Sequence, residues 1–287
     1  MNNNVLGIIG GSGLYDFQYL EDVEELTIST PFGKPSDKLI KGKLNGLPVV
    51  FLPRHGVGHR LMPTEVPVRA NIYALKSVGV TKLLAISAVG SLKEDIKPGD
   101  FLLPDQIFDR TKMRPSTFFG EGIVSHIGFD EPFCKDLRKL LFDIIQSKGK
   151  TVHNGGTYVC MEGPQFSTRA ESHFYRSLGA SVIGMSAIPE AKLAREAEMC
   201  YALVAMVTDY DVWKEDERVT VDKVIATVKK NVDTGKEIIR GLANVINLEP
   251  ECSTGCAKAL ENSIMTDPEV IPQKQKAKLQ LLINKYI

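Results

Sequence analysis

Several features are missing from this chain, and each absence removes a class of function. There is no charge excess: lysine plus arginine equals aspartate plus glutamate at 35 each. A balanced chain has no electrostatic footprint for nucleic acid or an anionic membrane. No apolar run approaches the ~18 residues of a membrane helix. The N-terminus, MNNNVLGIIGGSG, has no basic start before its apolar stretch and does not read as a signal peptide. Cysteine is scarce: Cys134, Cys160, Cys200, Cys252 and Cys256 are an odd set at scattered spacing. The nearest pair, Cys252-x-x-x-Cys256, lacks a second pair or histidines at ligand spacing, so neither a zinc site nor a disulfide scaffold is expected. The pattern reads as free thiols in a reducing cytoplasm. No Asp/Glu cluster resembles a magnesium site.

What is present is a chain of 287 residues, 43% of them hydrophobic, ample for a sizeable core. Short apolar runs alternate with amphipathic stretches. Val5–Ile9, Pro48–Leu52, Leu83–Ile86, Tyr158-Val159, 181–185 and 201–205 read as buried strands, and Lys38–Leu44 as a more exposed one. Asn45-Gly46 between two such runs is a hairpin signal, because both turn positions need φ > 0. Thr64 is placed to cap a helix carrying Val66, Val68, Ile72 and Leu75. Glu131-Pro132 opens a second helix, and others are expected from Pro189, from Thr220 and over Ala277–Tyr286. No repeat, low-complexity tract or linker divides the chain. The expectation is one α/β domain, residues 1–287, with a mixed, partly barrel-like central sheet flanked by helices and C-terminal helices from about 254.

Strand ends carry the chemistry. Gly10-Gly11-Ser12-Gly13 follows the first strand, yet it fits neither the dinucleotide fingerprint nor a P-loop. It is either a tight turn or an oxyanion cradle of backbone N–H groups and the Ser12 hydroxyl. Pro53-Arg54-His55-Gly56 offers a guanidinium fork and an imidazole donor. Ser87-Ala88 and Met185-Ser186 add two hydroxyls at strand ends. Three hydroxyls, one guanidinium and one imidazole suit inorganic phosphate bound without metal. The run Met206–Trp213 ends a buried strand in two acids, Asp209 and Asp211. On a strand, i and i+2 side chains share a face. Two carboxylates there are either solvated turn residues or a pair facing a ligand.

The motifs Gly10–Tyr15, Pro53–Gly56, Ser87–Leu92, Glu162–Ser167 with Arg169-Ala170-Glu171, Met185–Glu190 and Thr208–Asp211 occur in order. Together they resemble the methylthioadenosine phosphorylases of the trimeric purine nucleoside phosphorylase family, from about Val5 to about Val232. The resemblance implies a nucleoside phosphorylase fold and a homotrimer. It implies that Ser12, Arg54, His55, Ser87, Ala88 and Ser186 bind phosphate. Phe166 and Ser167 would adjoin the purine or sugar, and Met185 would lie against the ribose. Asp209 and Asp211 would face the base, and Val221 and Val224 would line the pocket for the 5′ substituent. His126 would reach into a neighbouring subunit's site. Family members often carry threonine where Ser87 and Ser186 stand, which preserves the hydroxyl.

The implied reaction is phosphorolysis of 5′-methylthioadenosine to adenine and 5-methylthioribose 1-phosphate. Asp209 would be the general acid at N7, with no cofactor and phosphate as co-substrate. The alternatives are a purine nucleoside phosphorylase acting on adenosine, inosine or guanosine, a non-catalytic nucleoside binder, and a dinucleotide-linked oxidoreductase. No metal, nucleic-acid partner or membrane is expected.

Overall fold

The computed structural model describes residues 4–11, 20–214 and 221–287; the side chains at 221, 223–225 and 228–230 also lie outside the described set. In chain order the elements are β1 Val5–Gly10, β2 Glu21–Leu26, β3 Leu39–Leu44, β4 Leu47–Pro53, α1 Val68–Ser77, β5 Val80–Ser91, β6 Phe101–Leu103 and β7 Gln106–Arg110. There follow α2 Lys135–Ser147, β8 Val152–Asn154, β9 Thr157–Met161, α3 Arg169–Ser177, β10 Val182–Gly184, α4 Ala187–Glu196, β11 Cys200–Asp209, α5 Val221–Val245 and α6 Gln273–Ile283.

The strands form one mixed sheet that branches at β5. One arm runs β2-β3-β4-β1-β5-β10-β9-β7, and the other leaves β5 through β11 to β6 and β8. The two arms curl toward each other, because β6 runs on into β7 and β8 into β9 across short breaks. Parallel pairing joins β1 to β4 and β5, and β5 to β11. A central strand of this kind is covered on both faces, which is why its residues read as continuous apolar runs. Alternate residues serve separate cores. Leu83, Ala85, Tyr201 and Leu203 pack with Ile72 and Leu75 of α1, Leu193 of α4 and Leu279 and Leu282 of α6. Leu84, Ile86, Ala202 and Val204 pack with Leu137, Leu141 and Ile145 of α2 and Ile238 and Leu242 of α5. Each fully buried aliphatic side chain contributes roughly 1.5–3 kcal/mol. An exposed pair such as Lys38–Glu25 is screened by water and adds little, so burial dominates the fold.

The Asn45-Gly46 hairpin forms as expected, with φ of 53° and 78° joining β3 to β4. Other expectations shift. The strand read at Leu83–Ile86 runs from Val80 to Ser91, so Ser87 and Ala88 lie inside it, not at its end. Continued pairing to β11 and β10 holds it extended. Thr64 lies in a turn; α1 begins at Val68, with Pro67 at its N-cap. The second helix starts at Lys135, not at Glu131-Pro132, with Cys134 at the N-cap. In the C-terminal stretch a 3-10 turn at Cys256–Lys258 precedes α6, which starts at Gln273, four residues before Ala277. Strand β2 was not foreseen because its residues Glu21–Glu25 are exposed, and β6 and β8 because they are only three residues long.

The cysteine reading needs correction. Cys134, Cys200, Cys252 and Cys256 are scattered in sequence, yet their Sγ atoms lie within 4.8 Å of one another. The N-cap of α2, the first residue of β11 and the loop after α5 converge there, a tertiary meeting that sequence spacing cannot register.

Glu196, at the end of α4, is buried and accepts hydrogen bonds from the Thr117 hydroxyl (2.6 Å) and the Phe118 N–H (2.7 Å). Burial outweighs those bonds and pushes its carboxyl up to about 7. An acid with a raised folded pKa contributes most stability below its unfolded pKa and loses it as pH rises through the folded value. Glu196→Gln is therefore expected to flatten the fall in thermal midpoint between about pH 4.5 and 7. Melting curves across that window check it; an unchanged slope would remove Glu196 as the cause.

Candidate active site

The parallel strands β1, β4, β5 and β11 present their C-terminal ends at one edge of the sheet, where open α/β sheets bind ligands. The Arg54 backbone N–H bonds the Gly10 carbonyl at 3.0 Å, so the turn after β4 abuts the end of β1. Strand β10 runs back along β5 and beside β9, with Gly184 paired to Cys160. Met185 and Met161 therefore lie at neighbouring strand ends. Arg114 ties the segments that follow them, donating to the carbonyls of Met185 (2.6 Å), Ile188 (2.7 Å) and Glu162 (2.5 Å). Nothing in the local sequence around Arg114 marks it for this role.

At the end of β11 the acid pair is enclosed, not solvated. Asp211 is 4% exposed and Asp209 is partly buried. Their relation is not the same-face strand pair expected from i, i+2 spacing. Asp209 is the last strand residue, whereas Asp211 sits in a turn with φ of 52°. That turn returns the Asp211 N–H to Asp209 Oδ1 at 2.8 Å, and the Thr208 hydroxyl donates to Asp209 Oδ2 at 2.7 Å. Burial raises the pKa of Asp209 above the usual carboxylate range against those two bonds, and the charge of Asp211 adds to the rise. Burial raises Asp211 as well, opposed by the nearby Ser172 and Ser167 hydroxyls. Gly90 makes room for both acids: a Cβ there would lie 2.9 Å from Asp209 Oδ1 and 3.3 Å from Asp211 Cβ. Trp213 anchors the turn by donating from Nε1 to the Ser91 carbonyl at 2.8 Å, with the Arg176 guanidinium over its ring.

Deeper in the sheet lies the cationic side of the site. Arg54 is 3% exposed and is clamped by Glu190, with Nε to Oε1 at 2.5 Å and a second N–H to Oε2 at 3.1 Å. A third N–H meets the Ile86 carbonyl at 3.0 Å, so three of its five N–H groups are used among the described residues. The Tyr201 hydroxyl also donates to Glu190, at 3.0 Å. Glu190 was overlooked as a site residue; the signal was a lone acid in the apolar stretch Ala187-Ile188-Pro189, which must be paired if buried. His55 departs from expectation. Burial, then the Arg54 charge, pushes its imidazole down to about 4, and the neutral ring donates Nδ1–H to the Leu61 carbonyl at 2.9 Å. Its Nε2 is thus an acceptor at neutral pH, not a second donor.

Ser87 shares the face of Leu83 and Ala85 on β5 and is buried, and its hydroxyl has no hydrogen-bond partner among the described residues. Asp211 Oδ2 and Ser172 Oγ are unpartnered in the same way. Buried polar atoms are normally satisfied; Ser172 neighbours Asp211, so the Ser87 hydroxyl is the atom that marks a place built to receive a polar group. Ala88 is partly exposed beside Ser87. Ser186 stands at the N-cap of α4, 3.4 Å from the Tyr158 hydroxyl. Ser167 is buried near Asp211, while Phe166 beside it is 47% exposed. His126 is exposed on a loop whose backbone N–H bonds the Ser263 carbonyl at 2.9 Å. Ser12 lies outside the described residues, as do the side chains of Val221 and Val224 at the start of α5.

Comparison with known proteins gives a consistent result. A family model described as the phosphorylase superfamily matches residues 5–244. An S-methyl-5′-thioadenosine phosphorylase of Geobacter sulfurreducens is 54% identical over 285 residues, 99% of each chain. Among solved structures, a methylthioadenosine phosphorylase from an antarctic soil metagenomic library superposes with a TM-score of 0.93 at 46% identity, covering 98% of this chain and 99% of the other. A variant of the adenosine/methylthioadenosine phosphorylase of Schistosoma mansoni, in complex with methylthioadenosine, gives 0.82 at 38% identity, covering 89% and 95%.

The Arg54–Glu190 pair generates a stability prediction. Removing one partner of a buried ion pair strands the other charge, at a cost of about 3–5 kcal/mol. Glu190→Ala is expected to lose that much in urea unfolding, while Glu25→Ala, which breaks an exposed pair with Lys38, leaves the urea midpoint almost unchanged. Equal effects would show that Arg54 is not electrostatically dependent on Glu190.

Proposed function

The chain belongs to the phosphorylase superfamily, and on that premise we propose that it cleaves the N-glycosidic bond of 5′-methylthioadenosine with inorganic phosphate, releasing adenine and 5-methylthioribose 1-phosphate. The observation that carries the reading is the enclosed Asp209–Asp211 pair one strand away from the unpartnered Ser87 hydroxyl.

The reaction has three physical needs. Phosphate must be held beneath the anomeric carbon so that attack is effectively intramolecular. The cation-like sugar must be stabilised as the bond to the base breaks, and the phosphate's own charge does much of this. The purine must leave with a proton or a strong donor at N7. Ser87, Ala88, Ser186, Arg54 and His55 would hold the anion, joined by Ser12 of the glycine loop. Glu190 fixes the plane of the Arg54 fork, and the neutral His55 would accept a P–OH proton at Nε2. Asp209, its pKa raised by burial, would donate to N7, and Asp211 would hold the acid pair and the base in register. General acid help of this kind is typically worth ~10²–10⁴ in rate.

Base choice follows from the same carboxyl. An acceptor opposite the 6-amino group of adenine is satisfied, whereas opposite O6 of hypoxanthine or guanine two acceptors would meet, at a cost of about 1–3 kcal/mol. That disfavours inosine and guanosine. Phe166 and Ser167 would flank the base or sugar, Met185 the ribose, and Val221 and Val224 the methylthio group. A trimer with His126 serving the neighbouring site fits that residue's exposure, and a reducing cytoplasm suits cysteines that form no disulfide among the described residues. No helix among the described residues is long and apolar enough to cross a membrane. The reacting centre needs no cofactor; phosphate is the co-substrate.

Purified protein is expected to release adenine from methylthioadenosine only when phosphate is present; phosphate-independent release would make it a hydrolase. Asp209→Asn is expected to lower kcat by ~10²–10⁴ while leaving phosphate affinity within a few-fold. Ser87→Ala removes a buried hydroxyl that has no partner among the described residues, so it should raise the KM for phosphate about tenfold with no loss of thermal stability. A stability loss without a change in phosphate KM would give Ser87 a structural role only.

A further inference from the structure

At the opposite end of β11 from the acid pair, four of the five cysteines meet. Cys134 is the N-cap of α2, Cys200 opens β11, and Cys252 and Cys256 flank a loop after α5. Strand rise places this cluster about 30 Å from Asp209, so it is no part of the reacting centre. Cys134, Cys200 and Cys256 are at most 1% exposed, and Cys252 is partly buried. We propose that these four cysteines bind one structural zinc ion as a closed tetrathiolate.

Geometry carries the assignment. Zinc holds thiolates at about 2.3 Å in a tetrahedron, which sets neighbouring sulfurs about 3.8 Å apart. All four Sγ atoms already lie within 4.8 Å of one another, so closure around an ion needs shifts of an ångström or less. Two buried disulfides would need sulfurs drawn to about 2.05 Å in pairs, a larger rearrangement. The surroundings suit a centre that carries negative charge. The buried Lys82 ammonium lies 3.7 Å from Cys200 Sγ, and the Cys256 backbone N–H donates to Cys252 Sγ at 3.3 Å. Binding is a proton exchange: four thiols and Zn²⁺ give a dianionic tetrathiolate and four protons, with no redox change.

The loop bearing two of the ligands is docked independently of the sulfurs. The Ser253 N–H and hydroxyl both donate to the Asp136 carboxylate, at 2.7 and 2.5 Å, and the Lys135 N–H donates to the Thr254 hydroxyl at 2.9 Å. An ion at the cluster would join α2, β11 and the head of the C-terminal segment. That segment goes on to pair Ile264 with Ser125 and to carry α6. The zinc would therefore fix the piece of chain that holds the loop of His126.

The test uses the full-length chain, purified without a metal-binding tag in reducing buffer after growth with zinc. Elemental analysis is expected to find about one zinc per chain, released when a mercurial titrates the thiols. Reconstitution with Co²⁺ should give the intense visible bands of a tetrahedral thiolate site. Cys252→Ser, which alters the most exposed ligand, should reduce bound zinc at least about fivefold and lower the thermal midpoint, and Cys160→Ser, outside the cluster, should keep it. Less than about a tenth of an equivalent of zinc in the wild-type chain would overturn the proposal. So would a stoichiometric amount of iron, or recovery of the four thiols as disulfides under the same reducing conditions.

Discussion

The parallel register of β11 on β5 is the constraint on which the rest depends. It sets Ala205 beside Ser87 and Asp209 beside Gly90. The unpartnered hydroxyl and the acid pair are thereby held about 10 Å apart along adjacent strands. That spacing is the scale of a nucleoside lying with its sugar over an anion and its base against a carboxyl. A one-residue slip would turn Ser87 to the opposite face and bury a different set of side chains. The two apolar cores prevent the slip, because alternate residues of both strands are committed to different helices.

Electrostatics then divides the edge into two environments. On one side Glu190 neutralises Arg54, orients its fork, and takes a further hydrogen bond from Tyr201. A guanidinium with two N–H groups unused among the described residues can meet an oxyanion without the reorganisation that a loose side chain would need. The Arg54 charge and burial hold His55 neutral. On the other side no cation pairs with Asp209 or Asp211 among the described hydrogen bonds, and burial raises both. The Arg54 and Asp209 environments thus have opposite polarity because their neighbours differ.

Much of this was legible in the sequence, and the rest failed for definable reasons. Apolar runs located the central strands because both sheet faces are buried. Asn45-Gly46 located a hairpin because few residues adopt positive φ twice in succession. The motifs put Arg54 and Asp209 at strand ends, which the structure shows, whereas Ser87 lies inside β5. The partners of those residues were less visible. Glu190 and Arg114 act through contacts distant in sequence, with Arg54 and with Met185, and no local pattern announces such pairings. The protonation of His55 depends on its burial and on the Arg54 charge, which only folded geometry supplies. The cysteines illustrate the same limit: the spacing Cys252-x-x-x-Cys256 seemed isolated because Cys134 and Cys200 come from different elements. Short strands such as β6 carried too few residues to display a period.

The most direct test of the central claim is a crystal structure of this chain with adenine and sulfate, the latter standing for phosphate. The account predicts the purine edge within about 3 Å of the Asp209 carboxyl and the anion within hydrogen-bond reach of Ser87 Oγ and the free edge of Arg54. Adenine bound away from the end of β11, or sulfate absent from Ser87 while the base is in place, would contradict it.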